Sequence, residues 1–313
     1  MRIFLTGGTG YIGSAVLDAF VRAGHQVDAL VRTRDKANAV QARGAHPVIG
    51  DLTQPQTYAE VAHAADGVIH TAIDQSTRFT GAAARPPSAA DIDALVIDTI
   101  LAPGRAATRP GRFFIYTSGI WVIGPAPAPV DEASPINPIE QSAWRAPHEE
   151  RVLECAAWGT RTAIVRPGIV YGGSRGIVGD LFKDAANGLV RVIGSGDNHW
   201  PLVYDRDLGE LYLILANNPS ASGIFHATDE CDERVNDLVS AISGHVPIHP
   251  SVRKVPLTEA RKKLGAYAEA LALDQIVRCP RARALGWSPS LHTVSRNTPR
   301  LFEEWRRGRD AAA

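Results

Sequence analysis

The chain has 313 residues, and its 33 Lys and Arg are balanced by 33 Asp and Glu. That length exceeds one ordinary core and predicts a main domain plus a smaller lobe, while the zero net charge provides no field to attract nucleic acid or an anionic membrane surface. No apolar run approaches the roughly 18 residues of a membrane helix, and Cys155, Cys231 and Cys279 are scattered without metal-ligand spacing, so the reading is a soluble cytoplasmic protein with reduced thiols and no metal.

In chain order, Ile3, Phe4 and Leu5 make an apolar run of the length of a buried parallel strand. Gly7, Gly10 and Gly13 follow, then a helical pattern (Ile12, Val16, Ala19, Phe20, Ala23) that stops at Gly24. Strand, glycine turn and helix in that order make a dinucleotide site. Gly7 permits the tight turn, Gly10 lets the backbone approach a pyrophosphate, and Gly13 lets the helix lie close to the strand with its N-terminus aimed at the anion. His25 to Arg32 reads as a second strand. About 20 residues past the glycines, an NAD-preferring fold carries a carboxylate for the ribose 2′-hydroxyl. Here Arg32, Arg34 and Lys36 stand instead, which suits the 2′-phosphate of NADP(H).

Pro47 to Asp51 reads as a third strand, with Asp51 and Leu52 at its carboxyl end. Asp66 to Ala72 reads as a fourth, ending in the small residues Thr71 and Ala72 beside the expected pyrophosphate. Thr80 to Ser88 reads as a loop, Ala89 to Ala107 as a helix, Arg112 to Thr117 as a fifth strand and Thr162 to Arg166 as a sixth. Pro125 to Pro138 reads as a Pro-rich loop over one edge. Alternating strands and helices imply a Rossmann-like α/β fold, a doubly wound parallel sheet with a smaller C-terminal substrate lobe. The expected division is 1–170 as the NADP-binding domain, with 200–228 returning to it, and 171–199 with 229–313 as the lobe. After that, 221–228 predicts a strand, Val235 to Ile242 a helix, Ser251 to Val255 a strand, and a last helix runs to Arg307.

Thr6-Gly-Gly-Thr-Gly-Tyr-Ile-Gly13, Asp51-Leu52, His70-Thr-Ala72, Tyr116-Thr-Ser118, Arg166-Pro167, Val170-Tyr171-Gly172, Asp207-Leu208 and Leu285-Gly-Trp287 fall in one order over nearly the whole chain. In that order they resemble the extended short-chain dehydrogenase/reductase family, which includes NAD(P)-dependent epimerases, dehydratases and carbonyl reductases. The resemblance implies that the Tyr11 and Ile12 amides hold the pyrophosphate, that Asp51 and Leu52 flank adenine, and that Gly168 and Ile169 lie against the nicotinamide.

The family's catalytic groups are where the sequence departs. The resemblance calls for a Ser or Thr after the fifth strand and a Tyr-x-x-x-Lys pair on the next helix. In one register these positions hold Gly119, Trp144 and His148; a register matched on Glu150 puts Ser142 and Ala146 at the pair instead. No Tyr in the chain has a Lys four residues later, so the sequence resembles the atypical branch that lacks the pair. Three groups are candidates to replace it. Ser118 stands at the end of the fifth strand, or else satisfies its own backbone. His148 brings an imidazole that could relay a proton, or else caps a helix. Tyr204 brings a phenol to a segment that lines the substrate cleft in the family, or else packs in a core.

Where the sugar-nucleotide branch carries an Arg after Gly194-Ser-Gly196, this chain has Trp200. An indole cannot neutralise a diphosphate, so with Trp121 and Trp144 it predicts an apolar or aromatic small-molecule substrate, unless all three pack in the core. The reading is an NADP(H)-dependent oxidoreductase acting on a weakly charged carbonyl or alcohol, with a homodimer left open. The alternatives are a non-catalytic NADP(H)-binding sensor or scaffold and, second, an epimerase or dehydratase.

Overall fold

The computed structural model describes residues 1–73, 87–102 and 111–310. Of the sequence-expected elements, residues 80–86 of the Thr80–Ser88 loop and residues 103–107 of the helix after it lie outside the described residues. The chain runs β1 (Arg2–Thr6), α1 (Tyr11–Arg22), β2 (Gln26–Val31), α2 (Arg34–Gln41), β3 (His46–Ile49), α3 (Ala59–Ala64), β4 (Gly67–His70), α4 (Ala89–Leu101) and β5 (Phe113–Thr117). Next come β6 (Ala126–Val130), α5 (Arg145–Glu154), β7 (Arg161–Pro167), β8 (Ile169–Tyr171), α6 (Gly176–Ala186), β9 (Leu189–Ile193) and β10 (His199–Trp200). Then follow β11 (Leu202–Tyr204), α7 (Asp205–Asn217), β12 (Gly223–Ala227), β13 (Glu233–Arg234), α8 (Val235–His245) and β14 (Ser251–Val255). The chain ends with α9 (Leu257–Leu264), α10 (Tyr267–Ala272), β15 (Gln275–Val277), α11 (Pro280–Ala284) and α12 (Val294–Asp310).

Seven strands form one sheet in the order β12-β7-β5-β4-β1-β2-β3. The pairings of β1 with β2 and β4, β2 with β3, β4 with β5, and β5 with β7 are all parallel. This is the Rossmann-like doubly wound fold, as the strand–helix alternation predicts. On one face Phe4, Val68, Phe114 and Ile164 pack with Val96, Ile97 and Ile100 of α4 and Val152 of α5. A Ser88–Asp91 capping box starts α4: Ser88 accepts from the Asp91 amide while the Asp91 carboxylate accepts from the Ser88 amide.

Two compact units are present. The first comprises Met1–Gly119, Trp144–Arg166 and Leu208–Phe225, and the second comprises Ile120–Ala143, Pro167–Asp207 and His226–Ala313. Residues 120–143 fall in the second unit and Leu208–Phe225 in the first. The core of the second unit gathers Tyr171, Phe182, Trp200, Tyr204, Phe302 and Trp305.

The Pro-rich segment is not simply a loop: β6 pairs in parallel with β15. Pro127 and Pro129 lack N–H groups, and they lie where the register shifts: Ala126 stands opposite Gln275 and Val130 opposite Val277, so the residues between them form an irregularity in β6. The ladder is made through the Ala126 amide to Asp274 O and the Arg278 amide to Val130 O.

Candidate active site

The glycine turn closes as its residues require. Gly7 has φ +76°, and the Gly10 amide bonds back to its carbonyl at 2.7 Å. Gly10 is the N-cap of α1. A Cβ on Gly13 would overlap the Gly7 carbonyl oxygen and lie 2.5 Å from Thr71 Oγ1. A Cβ on Gly7 would lie 2.7 Å from the Ala72 amide nitrogen. Gly7, Gly10, Gly13, Thr71 and Ala72 therefore meet at the carboxyl ends of β1 and β4, with Tyr11 and Ile12 opening α1. Such a cradle, backbone-walled and facing a helix N-terminus, fits a pyrophosphate.

At the next strand end, Arg32 and Arg34 are exposed, with Thr33 between them as the N-cap of α2. Asp51 accepts from the Thr53 amide at 2.8 Å and the Thr53 hydroxyl at 2.7 Å. Those bonds, with help from the Arg32 charge, hold its carboxyl below the ordinary range. Leu52 packs against the core of the first unit. Arg32 and Asp51 thus lie close enough for their charges to interact.

A buried polar cluster that the sequence reading missed lies in the same unit. Thr6, His70 and Tyr116 stand in register across β1, β4 and β5. Thr6 Oγ1 is 2.6 Å from His70 Nδ1, and His70 Nε2 is 3.0 Å from Asp93 Oδ1. The Tyr116 hydroxyl donates to Asp93 Oδ2 at 2.7 Å, and His148 Nδ1 lies 2.7 Å from the same oxygen. Burial alone would raise the Asp93 carboxyl. The bonds from His148 and His70, with the charges of His70 and Arg145, hold it well below the usual range.

Helix α5 is pinned by a buried ion pair, Arg166 Nη2 to Glu149 Oε2 at 2.5 Å. Glu149, not Glu150, is the inward glutamate. Counting back from it puts Gln141 and Arg145 where the resemblance calls for the Tyr and Lys. Arg145 donates to Thr117 O at 3.1 Å and stacks over the Trp144 indole at 4.3 Å. Ser118 donates its amide to Val165 O, while its buried Oγ has no hydrogen-bond partner among the described residues.

The second unit holds the other candidates. The Gly168 amide bonds Ala227 O and the Ile169 amide bonds Pro201 O, so both are spent on backbone. Trp200 is a core residue whose indole N–H donates to Leu271 O at 3.1 Å, which removes it as a stacking surface. Trp121 is half-buried and packs edge-on against Tyr267. The Tyr204 hydroxyl donates to Glu304 at 2.9 Å and accepts from Arg300 at 3.2 Å; burial, then the Glu304 charge, pushes it up to about 12. Its proton is committed to Glu304.

Beside it, Asp205 Oδ1 is buried without a hydrogen-bond partner among the described residues, and burial raises this carboxyl to about 6. Because the folded chain holds the proton to a higher pH than the unfolded one, this group makes stability fall as pH rises from about 4 to 6. Asp205→Asn should therefore stabilise the protein by about 1–3 kcal/mol at pH 7.5, a gain that fades towards pH 4. Urea titrations at both pH values check this; an equal gain at both would show that the carboxyl is not the cause.

No helix among the described residues is long and apolar enough to cross a membrane, and no cluster among them could hold a metal ion. The chain is 31% identical over 298 residues to an uncharacterised Schizosaccharomyces pombe protein, covering 94% of this chain and 97% of that one. It is 28% identical to a 4-hydroxy-2-methyl-3-oxo-4-farnesyl-3,4-dihydroquinoline-1-oxide ketoreductase of Stigmatella aurantiaca, covering 83% and 78%. Two solved structures share the fold: Thermus thermophilus UDP-glucose 4-epimerase with NAD (TM-score 0.81, 18% identity, 98% and 99% covered) and human SDR39U1 with NADPH (0.72, 18%, 97% and 99%). The model of the NAD dependent epimerase/dehydratase family matches residues 3–227. With the glycine cradle and the parallel sheet already in place, that match is decisive: this chain belongs to the NAD dependent epimerase/dehydratase family.

Proposed function

We propose that the protein is an NADP(H)-dependent reductase of a small, weakly charged carbonyl compound, working in a reducing, cytoplasmic setting. The observation that carries this is the pair of exposed arginines, Arg32 and Arg34, at the strand end where a carboxylate would select NAD. Gly7, Gly10, Tyr11, Ile12 and Gly13 would cradle the pyrophosphate with Thr71 and Ala72 behind them, and Asp51 and Leu52 would border the adenine. Bound NADPH would supply the hydride. The chain's own task is to hold the carbonyl and deliver a proton. Ser118 Oγ, buried without a partner, is a ready donor to a substrate oxygen. Among Ser118, His148 and Tyr204, His148 is favoured as the proton source, since Tyr204 is held by Glu304. The ketoreductase name of one relative supports reduction over epimerisation.

NADPH should bind at least tenfold more tightly than NADH, a difference of about 1.4 kcal/mol, and Arg32→Ala/Arg34→Ala should erase the preference. Fluorescence titration of both cofactors decides it; equal affinities in the wild type would sink the NADP(H) assignment. A panel of ketones, aldehydes and quinones assayed with NADPH then tests reduction. Tight NADPH binding with no turnover of any member would favour a non-catalytic cofactor-binding protein.

A further inference from the structure

We propose that Asp93 is a positioning residue that fixes His148 as the protein's proton carrier, with Thr6, His70 and Tyr116 as its rigid backing. The proposal rests on the reductase reading above.

Thr6 and His70 are the last residues of β1 and β4, and Tyr116 is the next to last of β5. The cluster therefore lies under the carboxyl edge of the sheet, where open α/β sheets bind their ligands. Asp93 itself sits on α4 one turn from Val96 and Ile97, both wholly buried. A carboxylate among such neighbours is costly unless hydrogen bonds compensate it. Here three donors do so: His70 and Tyr116 from the sheet and His148 from α5. Packing of α4 against the sheet would be served as well by an apolar residue at this position, so the carboxylate answers another need.

That need is orientation. An ionised carboxylate only accepts, so the His148 nitrogen facing it, Nδ1, must carry hydrogen. Nε2 is then the nitrogen that takes and gives a proton, and it has no hydrogen bond among the described residues. The Trp144 ring meets the imidazole edge-on at 5.3 Å between centroids, and the His148 side chain remains 14% exposed. One helix thus presents a clamped imidazole with a single working nitrogen, the arrangement that an orienting carboxylate gives a general acid.

In the reduction, hydride goes to the carbonyl carbon and the C=O π electrons form the new O–H bond with the proton from Nε2 of the His148 imidazolium. The ring is left neutral with Nδ1–H still on Asp93, and Nε2 regains its proton from water. Carbonyl, NADPH and one proton become alcohol and NADP+.

The titratable and charged groups around the dyad are Asp91 and Asp93 on α4, His70 on β4, Tyr116 on β5, and Arg145 and Glu149 on α5. Long-range 1H–15N spectra of the 15N-labelled full chain above neutral pH, assigned with His148→Gln, should show His148 as its Nδ1–H tautomer. The Nε2–H tautomer would overturn the proposal. With a carbonyl that the wild type reduces, His148→Gln should lower kcat about 10²-fold, and Asp93→Asn should lower it about tenfold and displace the pH profile. Both should leave the NADPH Kd within about twofold. Full turnover in His148→Gln, or kcat losses matched by lost NADPH binding, would also overturn it. A wild type that binds no NADPH or reduces no carbonyl removes the reductase reading instead. The ring-nitrogen spectrum is read from the protein alone, so it decides the Asp93 assignment in either case.

Discussion

Gly13→Ala should lose NADPH binding and about 3 kcal/mol of stability, the upper end of what overpacking usually costs. The added methyl would overlap the Gly7 carbonyl oxygen and press on Thr71 Oγ1. Neither can yield cheaply, because the one is backbone in a φ +76° turn and the other donates to Thr6 O at 2.8 Å. Helix α1 must then back away from β1, carrying its amides off the cradle. Gly10→Val is the complementary probe: its Cβ would lie 2.9 Å from Gly7 O, so that backbone must give slightly, and its methyls would fill the space a pyrophosphate needs. It should abolish binding at a smaller loss of stability. Gly244→Ala, in open space near the end of α8, should be neutral or slightly stabilising. Calorimetry and NADPH titration of the three variants check the ordering. A Gly13→Ala protein with wild-type melting and binding would show that the close approach of α1 to β1 is not a constraint.

Glu149→Leu should destabilise the protein by about 3–5 kcal/mol, because it takes the carboxylate away from the buried Arg166 guanidinium. Both side chains are 3% exposed, and Arg166 bonds the carboxylate through Nε and Nη2. The double variant Glu149→Leu/Arg166→Met removes both charges and should recover most of the loss, since apolar replacement of a buried pair is often near neutral. Urea unfolding at constant pH measures the cycle. A single variant within about 1 kcal/mol of wild type would mean that water reaches the pair.

The fold was legible because its determinants are local. The apolar run at Ile3–Leu5, the glycine spacing and the stop at Gly24 each specify one element, and parallel βαβ handedness leaves little choice in joining them. The Asp93 cluster was less visible, though a signal existed: Asp93 shares a helical face with Val96, Ile97 and Ile100, and an acid on an apolar stripe asks for partners. What sequence could not give was the identity of those partners, which come from β4, β5 and α5 and meet through the order of strands in the sheet. The partners of Trp200 and Tyr204 were hidden for the opposite reason. Their positions suggested a cleft wall, but their polar atoms are satisfied by Leu271 O and Glu304, residues so distant in the chain that no periodicity links them.

The way the chain threads through the second unit has a consequence for biosynthesis. Strand β6 ends at Val130, yet its partner β15 begins at Gln275, and the small core of Ile120, Ile123 and Ala126 is completed by Val277. The ladders β9–β14 and β10–β13 likewise wait for the C-terminal third. All the residues of the first unit, in contrast, have left the ribosome once Phe225 has. A nascent chain at that stage can close its parallel sheet but must carry β6, β9 and β10 with unpaired edges and uncovered apolar faces. Such long-range pairing is slow and exposes the chain to aggregation, so the span between synthesis of Phe225 and Val277 should be when the nascent chain is most exposed.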